Sequence, residues 1–81
     1  MKVTVQLFAF LKDMAHAPSI ELELPDAATG DELIKKLVEE FPELAGKEAQ
    51  LKIAVGEEYV DNAVILETNR EIAVFPPVSG G

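Results

Sequence analysis

The residues best suited to chemistry in this sequence are its last six, Pro76-Pro77-Val78-Ser79-Gly80-Gly81. Pro76 and Pro77 lack the N–H that a strand ladder needs and hold the backbone near an extended geometry, so the chain beyond them should leave the body in a set direction. Val78 to Gly81 then reaches about 13 Å, at roughly 3.3–3.6 Å per residue. Ser79, Gly80 and Gly81 carry little or no side chain, so this backbone can thread a narrow channel and approach another protein's catalytic groups. A glycine terminus presents the least hindered carboxylate available. A free carboxylate is a poor electrophile and must first be activated, for example as an acyl adenylate. Gly30 and Gly56 are isolated and Gly80-Gly81 opens no helix, so the sequence holds no phosphate-binding loop. The activating step therefore falls to a partner enzyme.

Elsewhere the chain is poor in catalytic constellations. Its one histidine, His16, has no convergent partners for a triad or a metal site. The pairs Glu39-Glu40 and Glu57-Glu58 are adjacent in sequence and point apart in a helix or strand, whereas acid–base work needs them to converge. The absence of cysteine excludes disulfides, thiolate metal sites and cysteine nucleophiles. No bound cofactor or metal is expected. Fifteen acidic residues against seven basic ones give a formal net charge of −8 and a pI near 4.4. Nucleic acid and anionic membrane are then poor partners, since both require a basic face. Such a charge serves solubility, or steers the protein toward a basic partner. Apolar stretches too short to cross a bilayer, together with no signal peptide and no disulfide, favour the cytoplasm.

The positioning elements follow from hydrophobic periodicity. Eighty-one residues make one domain, with a globular body over 1–75 and a projecting tail over 76–81. Met1 to Phe10 alternates and is rich in β-branched and aromatic residues, which predicts a strand with Val3, Val5 and Leu7 on one face. Lys12 to Ser19 reads as a loop. Ser19 to Leu24 predicts a second strand, antiparallel to the first, with Ile20, Leu22 and Leu24 inward. Thr29-Gly30-Asp31-Glu32 fits a capping box, and Leu33, Leu37 and Phe41, flanked by Ile34 and Val38, form a helical stripe that Pro42 ends. Glu43 to Gln50 is irregular with a helical turn, and Leu51 to Val55 is a short strand turning at Gly56-Glu57-Glu58. Tyr59-Val60 begins a return strand, Asp61 to Leu66 is ambiguous, and Glu71 to Phe75 is the last strand. A helix after a hairpin must bury its stripe on one sheet face, giving a two-layer α+β domain. Placing the last strand parallel to the first, at the centre of a mixed sheet of four to five strands, gives the β-grasp, or ubiquitin-like, layout.

In that layout Ile72 and Val74 face the helix, and Ala73 and Phe75 face away. Phe8 and Phe10 share the outward parity of the first strand. The three phenylalanines are then expected at one end of the outer sheet face, beside the tail exit, as a protein-docking patch.

The ending Val74-Phe75-Pro76-Pro77-Val78-Ser79-Gly80-Gly81 resembles that of the small subunit of molybdopterin synthase, a ubiquitin-like sulfur-carrier family with an aromatic-Pro-Pro-Val-Ser/Thr-Gly-Gly terminus. The Val3 to Ala9 strand and the helix opening at Thr29 fit as well, and the similarity spans essentially the whole chain. One departure is Gly56, where relatives commonly carry asparagine after the Ala-Val pair. The resemblance implies that an adenylyltransferase like the ubiquitin-activating enzymes uses ATP and Mg to adenylate the Gly81 carboxylate. A sulfur donor then converts it to a thiocarboxylate. It further implies that the tail enters the large synthase subunit, in a heterotetramer of two small and two large chains. There it supplies sulfur to cyclic pyranopterin monophosphate for molybdenum cofactor synthesis. The small subunit would be sulfur-donating but not catalytic. Gly81 would carry the sulfur and Gly80 would give clearance in the partner's tunnel. Phe8, Phe10, Phe75, Pro76, Pro77, Val78 and Ser79 would bind the partner. Three alternatives stay open: a carrier for thiamine or tRNA thiolation, a modifier joined through Gly81 by an isopeptide bond to a partner lysine, and an interaction module with an inert tail.

Overall fold

The computed structural model describes residues 1–68 and 70–76. Its elements are β1 (Lys2–Leu7), α1 (Phe10–Ala15), β2 (Ser19–Glu23), α2 (Gly30–Glu40), two 3-10 turns (Pro42–Leu44 and Glu48–Gln50), β3 (Lys52–Val55), β4 (Glu58–Val60) and β5 (Ile72–Phe75). The strands form one mixed sheet in the order β2-β1-β5-β3-β4. β1 and β5 are parallel, with Val5 opposite Ile72 and Leu7 opposite Val74, and all other pairs are antiparallel. This is the β-grasp layout, with the last strand at the centre of the sheet.

One sheet face and one helix stripe make the core. Val3, Val5 and Leu7 of β1, Leu22 of β2, Ile53 of β3, and Ile72 and Val74 of β5 are buried against Leu33, Ile34 and Leu37 of α2. Each such side chain contributes about 1.5–3 kcal/mol through removal from water. The capping box is present: the Glu32 N–H donates to Thr29 Oγ1 at 3.4 Å, and the Thr29 N–H donates to Glu32 Oε1 at 3.0 Å.

Two parts depart from expectation. The first strand stops at Leu7 instead of reaching Phe10, and a short helix replaces the loop expected after Lys12. Ala9, at φ 55° and ψ −133°, breaks the strand. The Leu11 N–H closes on the Phe8 carbonyl at 3.2 Å, so Ala9 occupies the first central position of a type II′ turn. α1 then forms because Leu11 is fully buried and Met14 and Ala15 pack beside it.

The ambiguous segment 61–66 is a strap across the start of α2. The Gly30 N–H donates to the Val64 carbonyl (3.0 Å), the Asp31 N–H to the Asn62 carbonyl (2.8 Å) and the Leu66 N–H to the Ala28 carbonyl (2.8 Å). It thus satisfies helix N–H groups that have no partner inside the helix.

Candidate functional site

Parallel pairing of β1 with β5 brings both strand ends out at the same end of the sheet. Phe8, one residue past β1, lies beside Phe75, the last residue of β5. Their rings stack with centroids 4.4 Å apart and planes 10° from parallel. Tyr59 of β4 meets Phe75 edge-on at 5.6 Å and 65°. Both are arrangements that aromatic pairs prefer. Phe75 is half-buried, while Phe8 keeps 39% and Tyr59 70% of its surface exposed. Ala73 and Ala54 pair across β5 and β3 on the same outer face, leaving a low floor between the aromatic rings. The aromatic row therefore faces solvent, while α2 covers the opposite side.

Phe10 does not lie in a strand row with Phe8, because the turn at Ala9 carries it onto α1. Its ring is exposed there, with Lys47 Nζ 5.6 Å from the centroid. This corrects the expected three-phenylalanine cluster: the aromatic group is Phe8, Phe75 and Tyr59. Tyr59 could have been found from sequence by carrying strand parity into β4. Val60 pairs with Ile53 and Tyr59 with Ala54, so Tyr59 must face outward. Pro76, half-buried, follows β5 directly. Pro77, Val78, Ser79, Gly80 and Gly81 lie outside the described residues.

No rival chemical centre emerges elsewhere in the described part of the chain. A groove of about 510 Å³ beside α2 is lined by Asp31, Ile34, Lys35, Val38, Glu39, Glu48, Ala49 and Asn62. It mixes opposite charges with apolar side chains and converges no catalytic set. Among the described residues, no three His, Asp or Glu side chains are grouped to hold a metal ion. His16 caps α1 in the left-handed backbone region, at φ 57°. The Glu48 carboxyl is held below the usual glutamate range, first by the Gly46 N–H, which donates to both oxygens at 2.9 and 3.1 Å, and then by its own N–H. That is a loop-closing contact in an exposed turn. Among the described residues no helix is long and apolar enough to cross a membrane.

Comparison with known proteins gives the same fold and a family. A molybdopterin synthase sulfur carrier subunit of Dictyostelium discoideum is 38% identical over 80 residues, covering 95% of this chain and 93% of the relative. A solved structure described as a putative molybdopterin converting factor, subunit 1, from Pyrococcus furiosus superposes with a TM-score of 0.82 at 29% identity, covering 96% of this chain and 99% of that one. A chain from a complex of subunits 1 and 2 of molybdopterin-converting factor from Helicobacter pylori matches with a TM-score of 0.64 at 26% identity, covering 100% of this chain and 100% of that one. The ThiS family model matches residues 5–81. On these grounds the chain belongs to the ThiS family.

Proposed function

We propose that this chain is the sulfur-carrier subunit of a molybdopterin synthase and that its tail is a substrate presented to two enzymes in turn. The observation that carries the reading is the exposed aromatic row, Phe8, Phe75 and Tyr59, placed where β5 runs through Pro76 into Gly80-Gly81. An exposed aromatic surface of this kind anchors a partner protein. Relatives named as sulfur carrier subunits of molybdopterin synthase support the pathway. The Helicobacter pylori complex of subunits 1 and 2 supports a large-subunit partner.

In this reading the Gly81 carboxylate attacks the α-phosphorus of magnesium-bound ATP on an activating adenylyltransferase, and pyrophosphate leaves. A sulfide-level sulfur from a donor then adds to the acyl carbon and displaces AMP, leaving a thiocarboxylate. The thiocarboxylate brings its own nucleophilic sulfur, so a chain without cysteine can serve. Phe8, Phe75 and Tyr59 dock the large subunit, and Phe10, exposed at the start of α1, adds a contact from that helix. Pro76 and Pro77 aim the tail, Val78 and Ser79 bind the partner along its passage, and Gly80 gives clearance so that Gly81 reaches cyclic pyranopterin monophosphate. The chain contributes no catalytic group of its own. Two small and two large chains assemble, and the cytoplasm is the setting.

A variant lacking Gly80 and Gly81 should keep the fold, because the described core is built from residues between Val3 and Val74, and should lose all sulfur transfer to the precursor. Sulfur transfer retained by that variant overturns the proposal.

A further inference from the structure

Helix α2 turns a second apolar strip away from the core. Ile34 and Val38, one helical turn apart, floor the groove of about 510 Å³, and Ala49 of the second 3-10 turn and Asn62 of the strap wall its other side. The groove follows α2 from Asp31 to Glu39, about 12 Å at roughly 1.5 Å per residue. Its size is within the roughly 300–1,000 Å³ of sites that enclose a ligand. Val38 is half-buried and Ala49 exposed, so the strip meets solvent.

Three carboxylates and one ammonium rim this strip: Asp31, Glu39 and Glu48 against Lys35. The Gly46 N–H donates to both Glu48 oxygens and keeps that carboxyl ionised. Asp31, Lys35 and Glu48 take part in no ion pair among the described residues. Glu39 meets Lys36 Nζ at 4.0 Å, an exposed contact of little energy. Lys35 and Glu39, on the crest of the helix, also border the hollow on its β2 side, where Lys36 lies with Glu23 and Pro25. Lys47 is turned away, over the Phe10 ring. The groove is thus complementary to an apolar side chain flanked by Lys or Arg. A second copy of this chain, at net charge −8, is a poor occupant.

α2 packs on the sheet face opposite the aromatic row, so the groove stays open when a partner covers that row. Its Glu48-Ala49 wall leads directly into β3, whose Lys52 pairs with Phe75 at the tail-exit end. Of the proteins in the proposed sequence of steps, the adenylyltransferase and the large subunit each grip the tail themselves. The sulfur donor alone must act while another protein already holds it, and needs a surface that stays uncovered. We infer that the α2 groove docks the sulfur donor, a protein that seats an apolar side chain flanked by Lys or Arg in it while the adenylyltransferase holds the tail. The inference rests on the proposed function, from which the order of steps is taken.

The test compares two sulfur sources in thiocarboxylate formation, followed by intact mass with adenylyltransferase and magnesium-ATP. One source is a purified donor protein carrying a cysteine persulfide. The other is sodium sulfide at the same concentration, so that sulfide shed by the donor is counted. Dithiothreitol, present in both, supplies the electrons that cleave the disulfide left by the persulfide. Ala49→Trp fills the groove, Asp31→Lys/Glu39→Lys reverses its rim, and Glu21→Lys/Glu23→Lys makes the same charge change on the outer sheet face. All five positions are exposed, and circular dichroism verifies folding. The donor should be faster than sulfide with the unaltered chain. The ratio of the two rates should fall about tenfold in both groove variants and hold in the outer-face variant. A donor no faster than sulfide, or a ratio unchanged in the groove variants, overturns the inference. So does an equal fall in the outer-face variant, which marks steering by net charge. In each of those cases a chain that still gains sulfur leaves the proposed function standing; if the unaltered chain gains sulfur from neither source, that reading fails as well.

Discussion

Gly30 opens α2 where the 61–66 strap crosses it, and a methyl group added there has no space to occupy. An ideal Cβ would lie 2.8 Å from Ile53 Cδ1, 2.9 Å from the Asn62 carbonyl oxygen and 3.1 Å from Asn62 Cα. The isoleucine methyl can rotate aside. The Asn62 backbone can retreat only by stretching the bonds from the Gly30 N–H to Val64 (3.0 Å) and from the Asp31 N–H to Asn62 (2.8 Å). Overpacking a tight site costs about 1–3 kcal/mol, and each weakened hydrogen bond costs about 0.5–1.5 kcal/mol. Better helix propensity returns up to about 1 kcal/mol. Gly30→Ala should therefore destabilise the fold by about 2–4 kcal/mol, against a total of about 4–12 kcal/mol for a chain of this length. At about 4–8 °C per kcal/mol, the melting temperature should fall by about 8–30 °C. Gly46→Ala is the contrasting control. Its site is open to 4 Å but holds φ at +89°, so it should cost only about 1 kcal/mol of backbone strain. Urea melts followed by circular dichroism measure both. A Gly30→Ala protein within about 0.5 kcal/mol of the unaltered chain would refute the packing argument, because that is the scatter of inert surface changes.

Three further outcomes follow from particular contacts. A double-mutant cycle on Phe8→Ala and Phe75→Ala should give a coupling of about 0.5–1.5 kcal/mol in urea melts, and each single variant should bind the large subunit at least about tenfold more weakly by calorimetry. Ala9→Gly should raise stability by about 1 kcal/mol in the same melts, because glycine adopts Ala9's φ of 55° without strain. Glu48 should titrate below the usual glutamate range by carboxyl NMR; since its folded pKa is the lower one, its contribution is present above the unfolded pKa and is lost as pH falls through the folded value, and Glu48→Gln should remove that acid-side dependence.

Helix α2 is legible in the sequence because three independent signals agree on it: the Thr29–Glu32 capping box, the Leu33/Leu37 stripe and Pro42. The central place of β5 is legible because Ile72 and Val74 alternate with Ala73 and Phe75, and a crossover helix makes β1 its parallel neighbour. α1 is hidden because Phe8-Ala9-Phe10 prolongs the strand pattern, while the turn depends on a positive φ at an alanine, which residue type does not advertise. The strap is hidden for a different reason. Its hydrogen bonds run to residues 28–31, more than thirty positions away in the chain, and they follow no local period. Of the docking surface, the Phe8–Phe75 contact follows from strand parity, whereas the departure of Phe10 from it follows from the hidden turn at Ala9.

The central claim is that Gly81 is the atom-bearing end of a sulfur carrier, and the intact mass of the chain tests it most directly. Incubated with its activating adenylyltransferase, magnesium-ATP and a sulfur donor, the protein should gain the mass of one sulfur-for-oxygen exchange, localised by fragmentation to Gly81 and abolished when ATP is omitted. An unchanged mass under conditions in which the adenylyltransferase consumes ATP, or a sulfur found on any other residue, would contradict it.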